Sequence, residues 1–338
     1  MYNMDRRDFL KTSAALTAGW QFAASEGRTE TMETGPLAGK ALNPKTQWLR
    51  EARWGVLTHY LVHMPSAAVP EDMTPERWNS WVNSFDVGAL ADQFASVGVP
   101  YFFVTIGQGG GYYCSPNDIY EKRIGMNSKK LSRRDLVAEC AEAMRPKGIR
   151  QCVYLPGVAR KEPYKQEAWQ AVIREWSIRW GKRVSAWWID GSYSSEAEFK
   201  AFTEAFKAGN SDALVAYNTG PVGMNRDQLM PATRYEDYLA GECDYFQPTC
   251  GIRIFDNKQY YLGPDISGDQ LHFLNFLGAW WGTGSPRFSK ELVTSWTKHI
   301  NDHGGTVTWD IPLSRTGYLE RSYLEQLAAL NEMVRTRI

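Results

Sequence analysis

Val184-Ser185-Ala186-Trp187-Trp188-Ile189-Asp190 is a short, mostly apolar run that ends on a carboxylate. Such a run predicts a strand covered on both faces, as in a parallel sheet flanked by helices. Side chains alternate along a strand, so Asp190 shares a face with Trp188 and Ala186, while Trp187 and Ile189 point the other way. A carboxylate closing a buried run is costly unless it opens onto solvent or meets a partner. Position alone leaves two readings open: an acid at the mouth of a site, or a structural aspartate capping the turn at Gly191.

The same pattern repeats on either side of this run. Toward the N-terminus stand Gln151 to Leu155, Tyr101 to Ile106 and Trp54 to Tyr60; toward the C-terminus stand Ala213 to Asn218 and Thr306 to Ile311. Weaker strands are expected around Tyr235 to Ala240 and Phe273 to Trp281. Amphipathic stretches alternate with them: 87–97, 133–144, 167–180, 196–207, 290–302 and 322–334. Eight strands alternating with helices predict a single-domain α/β fold of the (β/α)8 TIM-barrel class over residues 44–338, and about 250 residues suffice for such a barrel. Active sites in these barrels gather at the C-terminal strand ends. The polar residues that close the runs here are His59, Gln108, Asp190, Asn218, Glu242 and Asp310.

Arg6-Arg7-Asp8-Phe9-Leu10-Lys11, then the alanine-rich apolar run Ser13 to Ala24, predict a twin-arginine-type export signal over residues 1–24. A linker follows over 25–43. The apolar run is shorter than the roughly 20 residues that span a bilayer, so the mature protein is expected in the periplasm or outside the cell, without a membrane contact once the signal is cleaved. Lysine plus arginine and aspartate plus glutamate number 38 each, so no net field favours nucleic acid. Five cysteines without a C-x-x-C pair predict isolated buried thiols, although Cys243 and Cys250 are near enough in sequence to pair. His59 and His63 make an H-x-x-x-H spacing, but on a strand these rings diverge, so no metal site is expected.

Several segments together resemble the α-L-fucosidases of glycoside hydrolase family 29. Arg53-Trp54-Gly55-Val56-Leu57-Thr58-His59 is similar to that family's RFG-x-x-x-HW strand, and Asp86 to Ala91 with Gly98-Val99-Pro100-Tyr101 to its first helix and second strand. Arg134-Asp135-Leu136-Val137 and Lys147-Gly148-Ile149 resemble its next helix, and Trp188-Ile189-Asp190-Gly191 matches W-x-D-G. Gly304-Gly305-Thr306, Asp310-Ile311-Pro312 and Gly317 look like its closing segment. The resemblance covers 48–338 and implies that Asp190 is the nucleophile of a retaining exo-glycosidase for a terminal 6-deoxy or related sugar, working without a cofactor. It implies a sugar contact for His59. Asp237 to Glu242 is similar to the segment carrying the family's acid residue, so Glu242 is the first candidate for acid/base and Glu236 the second. Asp310, where the family has asparagine, is a third.

One part of the resemblance fails. Where the family has K-H-H-D-G-F, with paired histidines on fucose hydroxyls, this chain has Gly107-Gln108-Gly109-Gly110-Gly111-Tyr112. Without those histidines, ordinary fucosides are open to doubt as substrates. Gln108 and Tyr112 are the polar and aromatic residues left to contact the sugar, with Trp188 and Trp281 as stacking surfaces and Asn218 as a further contact. Two other functions stay open: a catalytically silent carbohydrate-binding barrel, and a sugar-active lyase or isomerase.

Overall fold

The computed structural model describes residues 43–60, 69–108, 110–126, 128–157, 165–220, 231–243, 252–255, 258–261 and 269–336. The export signal, nearly all of the linker, His63, Tyr245 and Cys250 lie outside these residues. Seven strands form one all-parallel sheet: β1 (Trp54–Thr58), β2 (Tyr101–Thr105), β3 (Arg150–Pro156), β4 (Ala186–Asp190), β5 (Leu214–Tyr217), β8 (His272–Phe276) and β9 (Thr306–Asp310). Their spatial order is β5-β4-β3-β2-β1-β9-β8. Helices follow the strands, among them Val87–Ser96, Leu136–Met144, Gln166–Trp180, Glu196–Phe206, Lys290–Asp302 and Arg321–Arg335. The sheet curls, and its two faces bury different sets of side chains.

The outer face packs under the helices. Val56, Phe102, Val104, Val153, Leu155, Trp187, Ile189, Val215, Phe273 and Trp309 belong to that cluster. A smaller inner cluster gathers Leu57, Tyr101, Phe103, Cys152, Tyr154, Ala186, Trp188, Leu214, Ala216 and Leu274 from the concave face. The two sets alternate residue by residue along each strand, as the pleat requires. The short helix Gln47–Ala52 sits against the inner set, with Trp48 edge-on to Tyr101 at 5.9 Å between ring centroids. Tyr101 also lies across Gly55, where a Cβ would come within 2.2 Å of its ring; that strand position admits only glycine because another side chain fills its space.

The expected sixth strand is not formed: residues 235–240 make no strand, seven strands stand in the sheet among the described residues, and an antiparallel hairpin absent from the expectation, β6 (Ile252–Phe255) with β7 (Lys258–Tyr261), forms a separate sheet. Residues 237–243 instead run beside β8 through Leu239 N–Gln270 O (3.0 Å), Leu274 N–Gly241 O (2.9 Å) and Cys243 N–Leu274 O (2.8 Å). Toward β5 one main-chain bond, Asp237 N to Val215 O at 2.9 Å, is supplemented by side chains. The Asp237 carboxylate accepts from Val215 N at 2.9 Å, and the Glu236 carboxylate from Tyr217 N at 3.3 Å. Two acids thus satisfy strand-edge N–H groups that would otherwise be buried without partners. The strand expected at 273–281 is confined to His272–Phe276. Helices Gln47–Ala52, Pro75–Asn83 and Asp118–Arg123 were not anticipated. Cys114, Cys140 and Cys152 are buried free thiols, and Cys243 is buried as well.

A polar chain ties the interior to the 237–243 segment. Tyr101 Oη meets Thr308 Oγ1 at 2.8 Å, and Thr308 Oγ1 meets His272 Nε2 at 2.7 Å. His272 Nδ1 reaches the carbonyls of Leu239 and Ala240 at 3.0 and 3.2 Å. Burial outweighs these bonds and lowers the His272 pKa from 6.5 to about 4, so the folded protein holds the ring neutral where the unfolded chain would protonate it. The stability tied to it is therefore complete above the unfolded value and is lost as pH falls toward the folded one, by about 3 kcal/mol in all. Urea unfolding between about pH 7 and pH 4 should show this loss, and the His272→Gln protein, though less stable at neutral pH, should show a shallower pH dependence over the same window. Parallel slopes in the two proteins would contradict it.

Candidate active site at the C-terminal end of the sheet

Asp190 is the last residue of β4 and lies on the concave face, two and four residues beyond Trp188 and Ala186. Its backbone is set by a close crossing. Gly157 N donates to Asp190 O at 2.7 Å, and a Cβ on Gly157 would come within 2.4 Å of that oxygen and 2.7 Å of Gly191 Cα. Two glycines therefore let the ends of β3 and β4 touch main chain to main chain.

The half-buried carboxylate of Asp190 has two donors. Tyr154, the neighbour of Trp188 across the β3–β4 register, donates its hydroxyl to Oδ2 in a short hydrogen bond. Burial, and after it the Asp190 charge, push the Tyr154 phenol well above its ordinary pKa, so it stays protonated and acts as the donor. Gln108 Nε2 in turn donates to Tyr154 Oη at 2.6 Å. On the other side Asn218 Nδ2 donates to Asp190 Oδ1 at 3.0 Å and, in a second short bond, to Glu242 Oε2. Asn218 Oδ1 accepts from Gly220 N at 3.0 Å, which orients the amide so that its nitrogen faces both acids. Since one nitrogen holds both, the two bonded oxygens lie within two hydrogen-bond lengths, about 6 Å at most. Side chains from the ends of β2, β3, β4 and β5 and from the 237–243 segment form one continuous chain, Gln108–Tyr154–Asp190–Asn218–Glu242.

Aromatic rings line the floor. Trp188 stacks on Tyr154 with centroids 5.2 Å apart and 16° between planes, and its indole N–H donates to Ala240 O at 2.9 Å. His59 packs against Tyr154 at 5.6 Å and against Trp281 at 5.8 Å. His59 Nδ1 lies 2.7 Å from Asp310 Oδ1, and Asp310 Oδ2 accepts from Gly282 N at 2.5 Å. Asp310 is fully buried and bonded both to the His59 ring and to the loop carrying Trp281. With a carboxylate on Nδ1, that nitrogen carries the hydrogen and Nε2 is the one that can face a ligand.

The structure thus brings together His59, Gln108, Trp188, Asp190, Asn218, Glu242, Trp281 and Asp310. It separates two other candidates. Glu236 is buried, bonded to Ala232 N at 3.0 Å and Tyr217 N at 3.3 Å, and burial followed by the Asp269 charge raises it well above the usual carboxylate range. Tyr112 sits in the outer cluster, edge-on to Trp78 and beneath Lys130, with its hydroxyl on Met73 O at 3.3 Å. The glycine-rich loop turns back through a Gly107–Tyr113 bridge, and this carries the ring away from the concave face. Tyr154 was missed because it sits inside the apolar run Cys152-Val153-Tyr154-Leu155, although its alternation with Cys152 places it on the inner face.

Residues 3–19 match the family model for the TAT (twin-arginine translocation) pathway signal sequence, which marks the chain for export across the membrane. No helix among the described residues is long and apolar enough to cross one. No curated protein matches the chain in sequence. Among solved structures, the fold is similar to an endo-fucoidan hydrolase from glycoside hydrolase family 107 (TM-score 0.63, 16% identity), covering 85% of this chain and 53% of that one. The chain therefore spans about half the length of that protein. It is also similar to a second endo-fucoidan hydrolase of the same family (TM-score 0.64, 13% identity, 88% of this chain and 94% of that one). A third similar structure is the α-L-fucosidase AlfC from Lactobacillus casei in complex with α-L-fucose product (TM-score 0.58, 15% identity, 86% of this chain and 98% of that one). At such identities the likeness is one of fold.

The glycine crossing behind Asp190 gives a test that needs no substrate. Gly157→Ala places a methyl against main chain that cannot rotate aside, so the variant should lose about 2 kcal/mol or more in urea unfolding. A loss below about 0.5 kcal/mol would show that β3 and β4 do not meet as described.

Proposed function

We infer that the chain is an exported retaining glycoside hydrolase, α-L-fucosidase-like, that removes a terminal 6-deoxy or related sugar from a glycan. The observation that carries this reading is the Asn218 amide spanning Asp190 and Glu242. A retaining pair stands about 5 to 5.5 Å apart and an inverting pair about 6.5 to 9.5 Å, and two acids on one nitrogen suit the shorter spacing. The likeness to fucoidan hydrolases and fucosidases, and the export signal, agree with a sugar substrate met outside the cytoplasm. The residues 237–243 would stand in the place of a sixth strand, making the fold an irregular (β/α)8 barrel over 44–338.

In the proposed mechanism Asp190 attacks the anomeric carbon. Tyr154 and Asn218 each donate to one of its two oxygens, so each oxygen keeps a further lone pair for attack. Glu242 gives its proton to the departing glycosidic oxygen, and the covalent glycosyl-enzyme forms as that bond breaks. Glu242 then takes a proton from water, which displaces Asp190 and restores the starting configuration. His59, through Nε2, and Gln108 bind hydroxyls, and Trp281 supplies the apolar surface for the ring's C–H face; Trp188, buried against Tyr154, supports the floor from beneath. Glu236 and Tyr112 are left outside this scheme, and Asp310 acts by positioning His59. No step calls for a cofactor. A silent binding barrel would have no need of two acids joined through one amide, and this pair is what favours an enzyme over it.

Asp190→Asn should lower kcat/KM on an aryl α-L-fucoside by about a thousandfold or more while leaving the fold intact by circular dichroism. Proton NMR of the first product should show the α-anomer. Undiminished turnover in Asp190→Asn, or a β-anomer from the wild type, would overturn the assignment.

Glu242→Gln separates the two acids. A poor leaving group needs a proton and a good one does not, so hydrolysis of a methyl glycoside should fall about a hundredfold or more. An activated nitrophenyl glycoside should lose much less in its first step. Equal losses on both substrates would remove Glu242 from acid catalysis.

A further inference from the structure

Trp280 is an indole that the reaction above does not use. It precedes Trp281 on the loop after β8 and is 53% exposed, whereas Trp281 turns inward against His59 and Phe276. The loop is rigid. Trp280 and Thr283 pair across a tight turn, with Thr283 N donating to Trp280 O at 3.1 Å. A Cβ on Gly278 would come within 2.1 Å of Thr283 O, and one on Gly284 within 2.5 Å of Ala279 Cβ. At the tip, Gly282 N is tied to the buried Asp310 that also holds His59. Beneath Trp280 lies Phe276, edge-on at 5.2 Å.

An exposed indole retains a large unsatisfied apolar surface, and a backbone fixed in this way gives the ring little freedom to fold down and bury it. The other large exposed apolar residues among those described, Met126, Ile178, Leu292 and Tyr318, lie on other segments. Trp280 differs from them in sharing one short turn with a residue of the site. Phe276 packs against both indoles, at 5.2 Å from Trp280 and 4.8 Å from Trp281, so the exposed ring shares its support with the one that touches His59.

We propose that Trp280 is the platform of a second carbohydrate subsite, which stacks the sugar next to the one held over Asp190 in the same glycan chain. This rests on the glycosidase reading above and narrows its substrate to an oligosaccharide or polysaccharide. An indole offers its face to the C–H face of a pyranose without discriminating among hydroxyl patterns, so this subsite measures chain length more than sugar identity.

The test uses the full exported chain carrying Asp190→Asn, so that ligands bind without turnover, titrated by calorimetry with L-fucose and with a fucoidan-derived oligosaccharide. Adding Trp280→Ala should weaken the oligosaccharide about tenfold and change L-fucose less than about twofold. Trp280→Phe, which keeps a ring, should recover most of the lost affinity. If the oligosaccharide binds and Trp280→Ala leaves its affinity unchanged, or weakens both ligands equally, the subsite is refuted while the glycosidase reading stands. If neither ligand binds with Trp280 in place, the carbohydrate reading fails and takes the subsite with it.

Discussion

The amide of Asn218 is the contact around which the site is arranged. It closes the apolar strand β5, and its single nitrogen donates to Asp190 on the neighbouring β4 and to Glu242 on an irregular segment beyond. Two acids from different parts of the chain would repel if brought this close unaided. A shared donor places one hydrogen bond on each, the one to the Asp190 carboxylate being charge-assisted and worth about 1.5 to 3 kcal/mol. The Gly220 N–H fixes the orientation of the amide, and Tyr154 and Gln108 continue the chain on the far side of Asp190. The reacting groups are thus positioned by hydrogen bonds among strand ends, and the sheet beneath supplies rigidity.

That sheet depends on an unusual substitution of side chains for main chain. Beside β5 the segment 231–243 forms no regular strand, and the carboxylates of Asp237 and Glu236 take two of the N–H groups that a strand would have paired. Lys207 donates at 2.6 Å to the same Asp237 oxygen that takes the Val215 N–H, and Asn43 donates at 2.8 Å to the other, which keeps that buried charge compensated. Freed from a strand's pleat, the segment can turn at Gly241, whose φ of 63° puts the next residue, Glu242, beside Asn218. Loss of regularity at one strand position and placement of the second acid are the same structural event.

Much of this was legible in the sequence, for physical reasons that differ between parts. The apolar runs at 54–60, 101–106, 151–155, 184–190, 213–218 and 306–311 announced the strands, because burial on both faces leaves little room for polar residues. Alternation put Asp190 on one face with Trp188 and Ala186, without telling which face of the sheet is the inner one. His59, Gln108 and Asn218 stood out as polar residues at the ends of those runs, whereas Glu242 was reached as an acid/base candidate through the resemblance of 237–242 to a family segment. The sixth strand could not be read correctly, since part of its pairing with β5 is taken by the carboxylates of Asp237 and Glu236, which carry no periodic signal. Tyr154 was hidden by its apolar neighbours, and Tyr112 was misplaced because the fold of a glycine-rich loop is not written in its composition. The clamp of Asp310 on His59 and Gly282 joins residues more than 250 positions apart in part, which no local pattern shows.

Covalent trapping bears most directly on whether Asp190 is the nucleophile of this site. The wild-type protein would be incubated with a 2-deoxy-2-fluoro-fucosyl fluoride, digested, and mapped by peptide mass spectrometry. A fluorofucosyl adduct on the peptide containing Asp190, located at that carboxylate by fragmentation, is the predicted result. An adduct on Glu242 or on another residue, or hydrolysis of the reagent with inversion and no adduct, would contradict it.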